Sequence, residues 1–103
     1  MDIKNSLSQA IQDALRADFE IVAIDPVGGG CIHKALQVRG ETSAGKRSYF
    51  AKVNEAQKKG LFEAEKDGLE AIARAGAVRV PTVVACGEDE DIAYLVLEWL
   101  DLA

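Results

Sequence analysis

Residues 27–36 read VGGGCIHKAL. Three consecutive glycines, Gly28, Gly29 and Gly30, add backbone entropy to the unfolded chain, so this position needs bare backbone rather than side chains. A dinucleotide fingerprint would run strand, glycines, helix, with the helix N-terminus on the pyrophosphate. Here the following residues, CIHKALQV, carry Ile32, Leu36 and Val38 in a strand-like run, and His33 occupies the place of the third fingerprint glycine. No G-K-[ST] follows, which excludes a Walker loop. What remains is a glycine-rich hairpin between two strands. It is either a plain turn or a loop that folds over ligand phosphates, where missing side chains permit close backbone approach.

Upstream, FEIVAI (residues 19–24) is rich in strand formers and stops at Asp25-Pro26. Before it, Leu7, Ile11 and Leu15 recur at helical spacing beside Ala10 and Ala14, and Ser6 with Gln9 fits a capping box, which predicts a helix over about residues 4–17. Downstream, ETSAGK reads as a turn and RSYFAKVN as a third strand. From Lys58 to Ala75 the period is helical again, with Leu61, Phe62, Leu69, Ile72 and Ala73 on one stripe and Gly76 as its end. VPTVVACG and IAYLVLEWL are two more strand-like runs around the turn EDED. The predicted fold class is α+β: a helix, three strands, a long packed helix and two strands. Short turns between most strands argue for an antiparallel sheet of about five strands rather than stacked βαβ units.

Two charged residues interrupt these apolar patterns. Strand alternation in SYFAKVN puts Tyr49, Ala51 and Val53 on one face, and Phe50, Lys52 and Asn54 on the other. The stripe of the second helix passes through Glu65, three residues after Phe62 and four before Leu69. A carboxylate on the packed side of a helix is costly unless paired. Lys52 and Glu65 either face one another or lie solvated at the margins of their elements. Glu63, Lys66, Asp67 and Glu70 form the wet face.

The chain has 103 residues, of which 49% are hydrophobic and 28% charged. That is one small domain of ordinary soluble composition. The net charge of −5, with acids and bases interleaved, argues against a general nucleic-acid-binding surface. No apolar stretch approaches a bilayer span, and the first twenty residues lack a signal-peptide core. Cys31 and Cys86 form neither C-x-x-C nor a zinc pattern and read as reduced thiols in a cytoplasmic protein.

Glycine hairpin, strand lysine and helical glutamate together resemble the N-terminal lobe of the protein-kinase-like fold. The phrases GGGCIHKA, YFAKVN, LFEAEKDGLEAI, VRVPTVVACG and AYLVLEWLDL are similar to those of the fructosamine kinase (ketosamine 3-kinase) family, from about Ser6 to Leu102. The resemblance implies that Gly28, Gly29, Gly30, Cys31 and Ile32 form the loop over the ATP phosphates. It implies that Lys52 contacts the α- and β-phosphates and that Glu65 holds the lysine in position. LVLEWL becomes the strand and hinge at the adenine pocket, with Leu97 at its back wall. The backbone carbonyl of Glu98 and the amide of Leu100 then meet the adenine edge. The implied reaction is Mg²⁺-dependent transfer of the ATP γ-phosphate to the sugar O3 of ketosamines, small molecules or glycated protein lysines, in deglycation.

The same resemblance places the catalytic aspartate and the metal ligands in a second lobe, of which residues 1–103 contain nothing. The chain is therefore expected to be an ATP-binding lobe without phosphoryl transfer of its own, with no catalytic or metal-binding residue. Its inter-lobe surface is expected to drive self-association. An aminoglycoside-, choline- or sugar-phosphorylating kinase would share these features. A non-catalytic α+β binding module would use Lys52 and Glu65 as a structural pair. Cys31 is either a passenger in the loop or a redox switch beside the phosphates. Cys86 is expected to be the more buried thiol, and His33 takes no role.

Overall fold

The computed structural model describes residues 3–27, 34–76, 79–90 and 92–100. The expectations for Gly28, Gly29, Gly30, Cys31 and Ile32 lie outside these residues. The elements are α1 (Ile3–Leu15), β1 (Glu20–Pro26), β2 (Lys34–Thr42), β3 (Gly45–Glu55), a 3₁₀ turn (Ala56–Lys58), α2 (Lys59–Ala75), β4 (Val83–Glu88) and β5 (Ile92–Glu98). The five strands form one sheet in the order β1-β2-β3-β5-β4, and every neighbouring pair is antiparallel. Element order and fold class thus match the reading of the sequence.

Alternation along the strands sorts the core onto two sides of the sheet. On one side Leu7 and Ile11 of α1 pack with Phe19, Ile21, Leu36, Val38, Tyr49, Ala51, Val53, Ile92 and Val96. The Phe19 and Tyr49 rings meet edge to face at 5.6 Å. On the other side Phe62 of α2 packs with Ala93, Leu95 and Leu97, flanked by Phe50, Leu69, Val83 and Cys86. β5 therefore contributes to both cores, which explains why IAYLVLE is nearly continuously apolar. Gly40 lets β1 and β2 close up, because a Cβ there would fall against the Phe19 ring and the Glu20 carbonyl.

Three local expectations are corrected. Helix α1 begins at Ile3, so Ser6 lies inside it and is not a cap. The Ser6 hydroxyl instead donates to Asp89, tying α1 to the β4–β5 turn. That turn is itself closed by Asp89, whose carboxylate and backbone N–H both bond Ile92 at 2.9 Å. Second, α1 ends at Leu15, and Leu15 and Ala14 are exposed. The helix stops because Arg16 turns left-handed at φ 54° and the Ala17 N–H returns to the Gln12 carbonyl at 3.4 Å. This is the helix-ending motif that glycine usually serves. Third, α2 lies on the sheet by a narrower stripe than its period suggested. Phe62 is fully buried and Leu69 partly so, while Leu61 (49%), Ile72 (46%) and Ala73 are exposed.

Gly76 ends α2 as expected, left-handed at φ 73°, its N–H reaching the Ile72 and Ala73 carbonyls. The contrast with Arg16 gives a prediction. Arg16→Gly relieves a side chain held in the left-handed region and is expected to stabilise the fold by about 0.5–1 kcal/mol, net of the added backbone entropy. A thermal midpoint that stays put or falls would show that Arg16 is not strained.

Candidate functional site

The site grows from the α2 side of the sheet. Alternation on β3 sends Lys52 to that side, beside Phe50, while Tyr49, Ala51 and Val53 enter the opposite core. On α2, Glu65 sits one turn beyond the buried Phe62, so anchoring Phe62 aims the carboxylate at β3. The two side chains meet: Lys52 Nζ donates to Glu65 Oε2 at 2.8 Å and to Oε1 at 3.0 Å. They remain 28% and 32% accessible, so the pair contributes little to stability. Its consequence is geometric: a flexible lysine is held over the sheet in one direction.

Strand register aligns the other candidates with this pair. Lys52 lies opposite Ala35 of β2 and opposite Leu95 of β5. Ala35 accepts the Val27 N–H at 2.9 Å, tying the end of β1 to the strand next to Lys52. Two residues after Leu95 comes Leu97, buried against α2 and paired with Phe50 and Val83. Glu98 ends the sheet, and Trp99 and Leu100 follow it half-buried. The structure therefore brings Lys52, Glu65 and Leu97 to one face, with Glu98 and Leu100 at its end.

Two features escaped the reading of the sequence. Trp99 lies tilted on Phe50, their ring centroids 6.2 Å apart, which extends the face carrying Lys52 with a broad aromatic surface. The Glu98 carboxylate accepts the Thr82 N–H at 3.1 Å and lies 3.4 Å from the Arg79 guanidinium. Both join residues far apart in sequence. A run such as LEWL signals a strand end but not the partners it meets.

The α2 helix is clamped at its start as well. Lys59 reaches Glu88 at 3.4 Å, joining the first turn of α2 to the end of β4. Cys86, expected to be the more buried thiol, is half-buried in β4 beside the α2-side core. An open polar groove lies along α1, between Asn5, Ser8 and Gln12 and the start of β1. None of its lining residues belongs to the Lys52 face.

Burial also sets an alkaline limit on the fold. It pushes the Tyr49 and Tyr94 hydroxyls above their ordinary 10.0, Arg47 opposing at Tyr49 and Asp89 adding at Tyr94. Burial likewise raises the Cys86 thiol above 9.0, Lys66 opposing. Each folded-state value is raised, so the stability involved is complete below the ordinary values and is lost as pH climbs through the raised ones. The urea midpoint is expected to fall above about pH 9. A midpoint constant between pH 8 and 11 would contradict this.

Residues 3–103 match the family model for fructosamine kinase. A protein from Synechocystis sp. named "probable ketoamine kinase" is 36% identical over 96 residues, covering 93% of this chain and 31% of that protein. One of the same name from Klebsiella aerogenes is 38% identical over 98 residues, covering 95% of this chain and 32% of that protein. The chloroplastic protein-ribulosamine 3-kinase of Arabidopsis thaliana is 37% identical over 83 residues, covering 80% of this chain and 24% of its own. The chain thus spans about a third or less of the length of these relatives. The crystal structure of a "putative fructosamine-3-kinase" from Haemophilus somnus 129PT superposes with a TM-score of 0.82 at 24% identity, over 94% of this chain and 32% of that one. It supports the fold, a kinase-like N-terminal lobe. With its family model matched along almost the whole length and relatives more than a third identical, the chain belongs to the fructosamine kinase family.

Proposed function

We propose that this chain is the ATP-binding lobe of a cytoplasmic ketosamine kinase, which transfers the ATP γ-phosphate to the sugar O3 of fructosamine-type adducts and so serves deglycation. The observation that carries the reading is the Lys52–Glu65 pair, bridging β3 and α2 on the face that ends at Glu98–Leu100. An ammonium fixed in direction suits phosphate charge, because its position needs no rearrangement as charge develops. The backbone at the end of β5 offers a carbonyl and an amide, the pattern an adenine edge complements. These residues fit a nucleoside triphosphate.

Magnesium is a different matter. Among the described residues no group of three His, Cys, Asp or Glu side chains is placed to hold a metal ion. In this reading the metal, the acceptor-orienting aspartate and the ketosamine pocket belong to the second lobe that the family resemblance implies, and residues 1–103 alone are expected to transfer no phosphate.

Trp99 is the single tryptophan and lies against Phe50, just past the end of β5 and beside the Lys52 face, so in this reading it reports on the site. ATP is expected to change its fluorescence saturably. A flat titration, confirmed by calorimetry, would end the ATP reading. Phosphorylation of fructosyl-lysine by the protein carrying this lobe together with the rest of the relatives' length tests the substrate, and ribosyl- and erythrosyl-lysine would reveal a different sugar preference.

A further inference from the structure

We infer that the Glu98 side chain takes the place of its own backbone carbonyl in the sheet, and so leaves that carbonyl for the adenine amino group. The inference rests on the ATP-binding reading above. Thr82 lies one residue before β4, and Glu98 is the last residue of β5. With Val83 opposite Leu97, Thr82 stands opposite Glu98.

The Glu98 N–H donates to the Thr82 carbonyl at 2.8 Å. In an antiparallel ladder, that bond marks a closely spaced pair, whose second bond runs from the Thr82 N–H to the Glu98 carbonyl. Here the Thr82 N–H goes instead to Glu98 Oε1, at 3.1 Å. The carboxylate is steadied from outside by Arg79, 3.4 Å away. One residue thus closes the ring with its side chain where a regular strand would use its main chain.

This substitution solves a problem at the strand end. The main chain leaves the sheet after Glu98, and without the carboxylate the exposed Thr82 N–H would turn either to water or to the Glu98 carbonyl. The side chain supplies the acceptor, and the main-chain carbonyl has no ladder bond to Thr82. An exocyclic amino group of adenine donates to such a carbonyl. The O6 of guanine would meet it acceptor to acceptor. Glu98 is therefore a positioning residue for nucleotide choice, acting through Thr82.

The test is calorimetric titration of wild type, Glu98→Ala and Glu98→Gln with ATP, GTP and inorganic tripolyphosphate. Glutamine keeps an oxygen acceptor for the Thr82 N–H, and alanine does not. Glu98→Ala is expected to weaken ATP binding about 3–10-fold and to narrow the ATP-to-GTP ratio, with tripolyphosphate affinity unchanged. Glu98→Gln is expected to stay within about twofold of wild type. The inference is overturned if Glu98→Ala leaves ATP affinity and the ratio untouched, if it weakens tripolyphosphate equally, or if glutamine fails as alanine does. Wild-type protein that binds no ATP at all would instead sink the underlying reading, and this inference with it.

Discussion

Phe62→Ala is expected to cost about 3–5 kcal/mol of unfolding free energy, against about 0.5 kcal/mol or less for Leu61→Ala or Ile72→Ala. All three are large apolar residues on one helix, and hydrophobicity alone would rank them together. Phe62 is fully buried among Ala93, Leu95 and Leu97, whereas its two neighbours on α2 are about half exposed. Truncating the phenyl ring removes most of its transfer free energy and leaves a cavity under a helix that has no other fully buried side chain. Small domains have only about 5–15 kcal/mol of net stability, so the loss would leave the fold marginal. Urea denaturation of the three variants checks the ranking. A Leu61→Ala cost equal to that of Phe62→Ala would mean that α2 packs by another edge. The same experiment bears on the site, since Glu65 lies three residues from Phe62 and depends on that anchor.

The contrast among these three residues shows where sequence ends and structure begins. A 3.6-residue period identifies the apolar stripe of α2, but it cannot say which edge touches the sheet. Leu61 and Ile72 belong to the stripe and not to the contact. The Lys52–Glu65 pair was legible because two independent periods, one of two residues and one of 3.6, each set a charged residue on an apolar side. Either charge alone would have been ambiguous. The Ser6–Gln9 spacing misled for the opposite reason. It satisfied a local capping pattern, while the hydroxyl's partner, Asp89, is 83 positions away. The Glu98–Thr82 clasp and the Phe50–Trp99 stack were likewise invisible, since each depends on strand order and register rather than on spacing. Local chemistry thus predicted the elements and offered the charged pair as one of two readings. The contacts that finish the site come from topology.

On the proposed ATP-binding reading, Lys52→Ala in the protein that carries this lobe together with the rest of the relatives' length is expected to lower kcat/KM for ATP-dependent ketosamine phosphorylation about 100-fold or more, with the thermal midpoint changed by only a few degrees. The two halves of this expectation come from one geometry. The ion pair is about one-third accessible on both sides, so water already satisfies part of each charge and its removal costs the fold about 1 kcal/mol at most. In the proposed reaction the ammonium would count for more because it is fixed: both Glu65 oxygens hold Nζ, at 2.8 and 3.0 Å, on the face that leads to the β5 end. A phosphate arriving there meets a positive charge that needs no reorientation. Lys52→Arg keeps charge but replaces a compact ammonium by a planar fork, so it should rescue stability without restoring the rate. Glu65→Gln retains the lysine and an oxygen partner while dropping the holding charge, and a loss of about 10-fold, smaller than that of Lys52→Ala, is expected. Steady-state assays beside melting curves separate these outcomes. A Lys52→Ala enzyme with more than a third of wild-type kcat/KM would reduce the pair to a structural contact. A Glu65→Gln defect as deep as that of Lys52→Ala would mean that the carboxylate does more than hold its lysine.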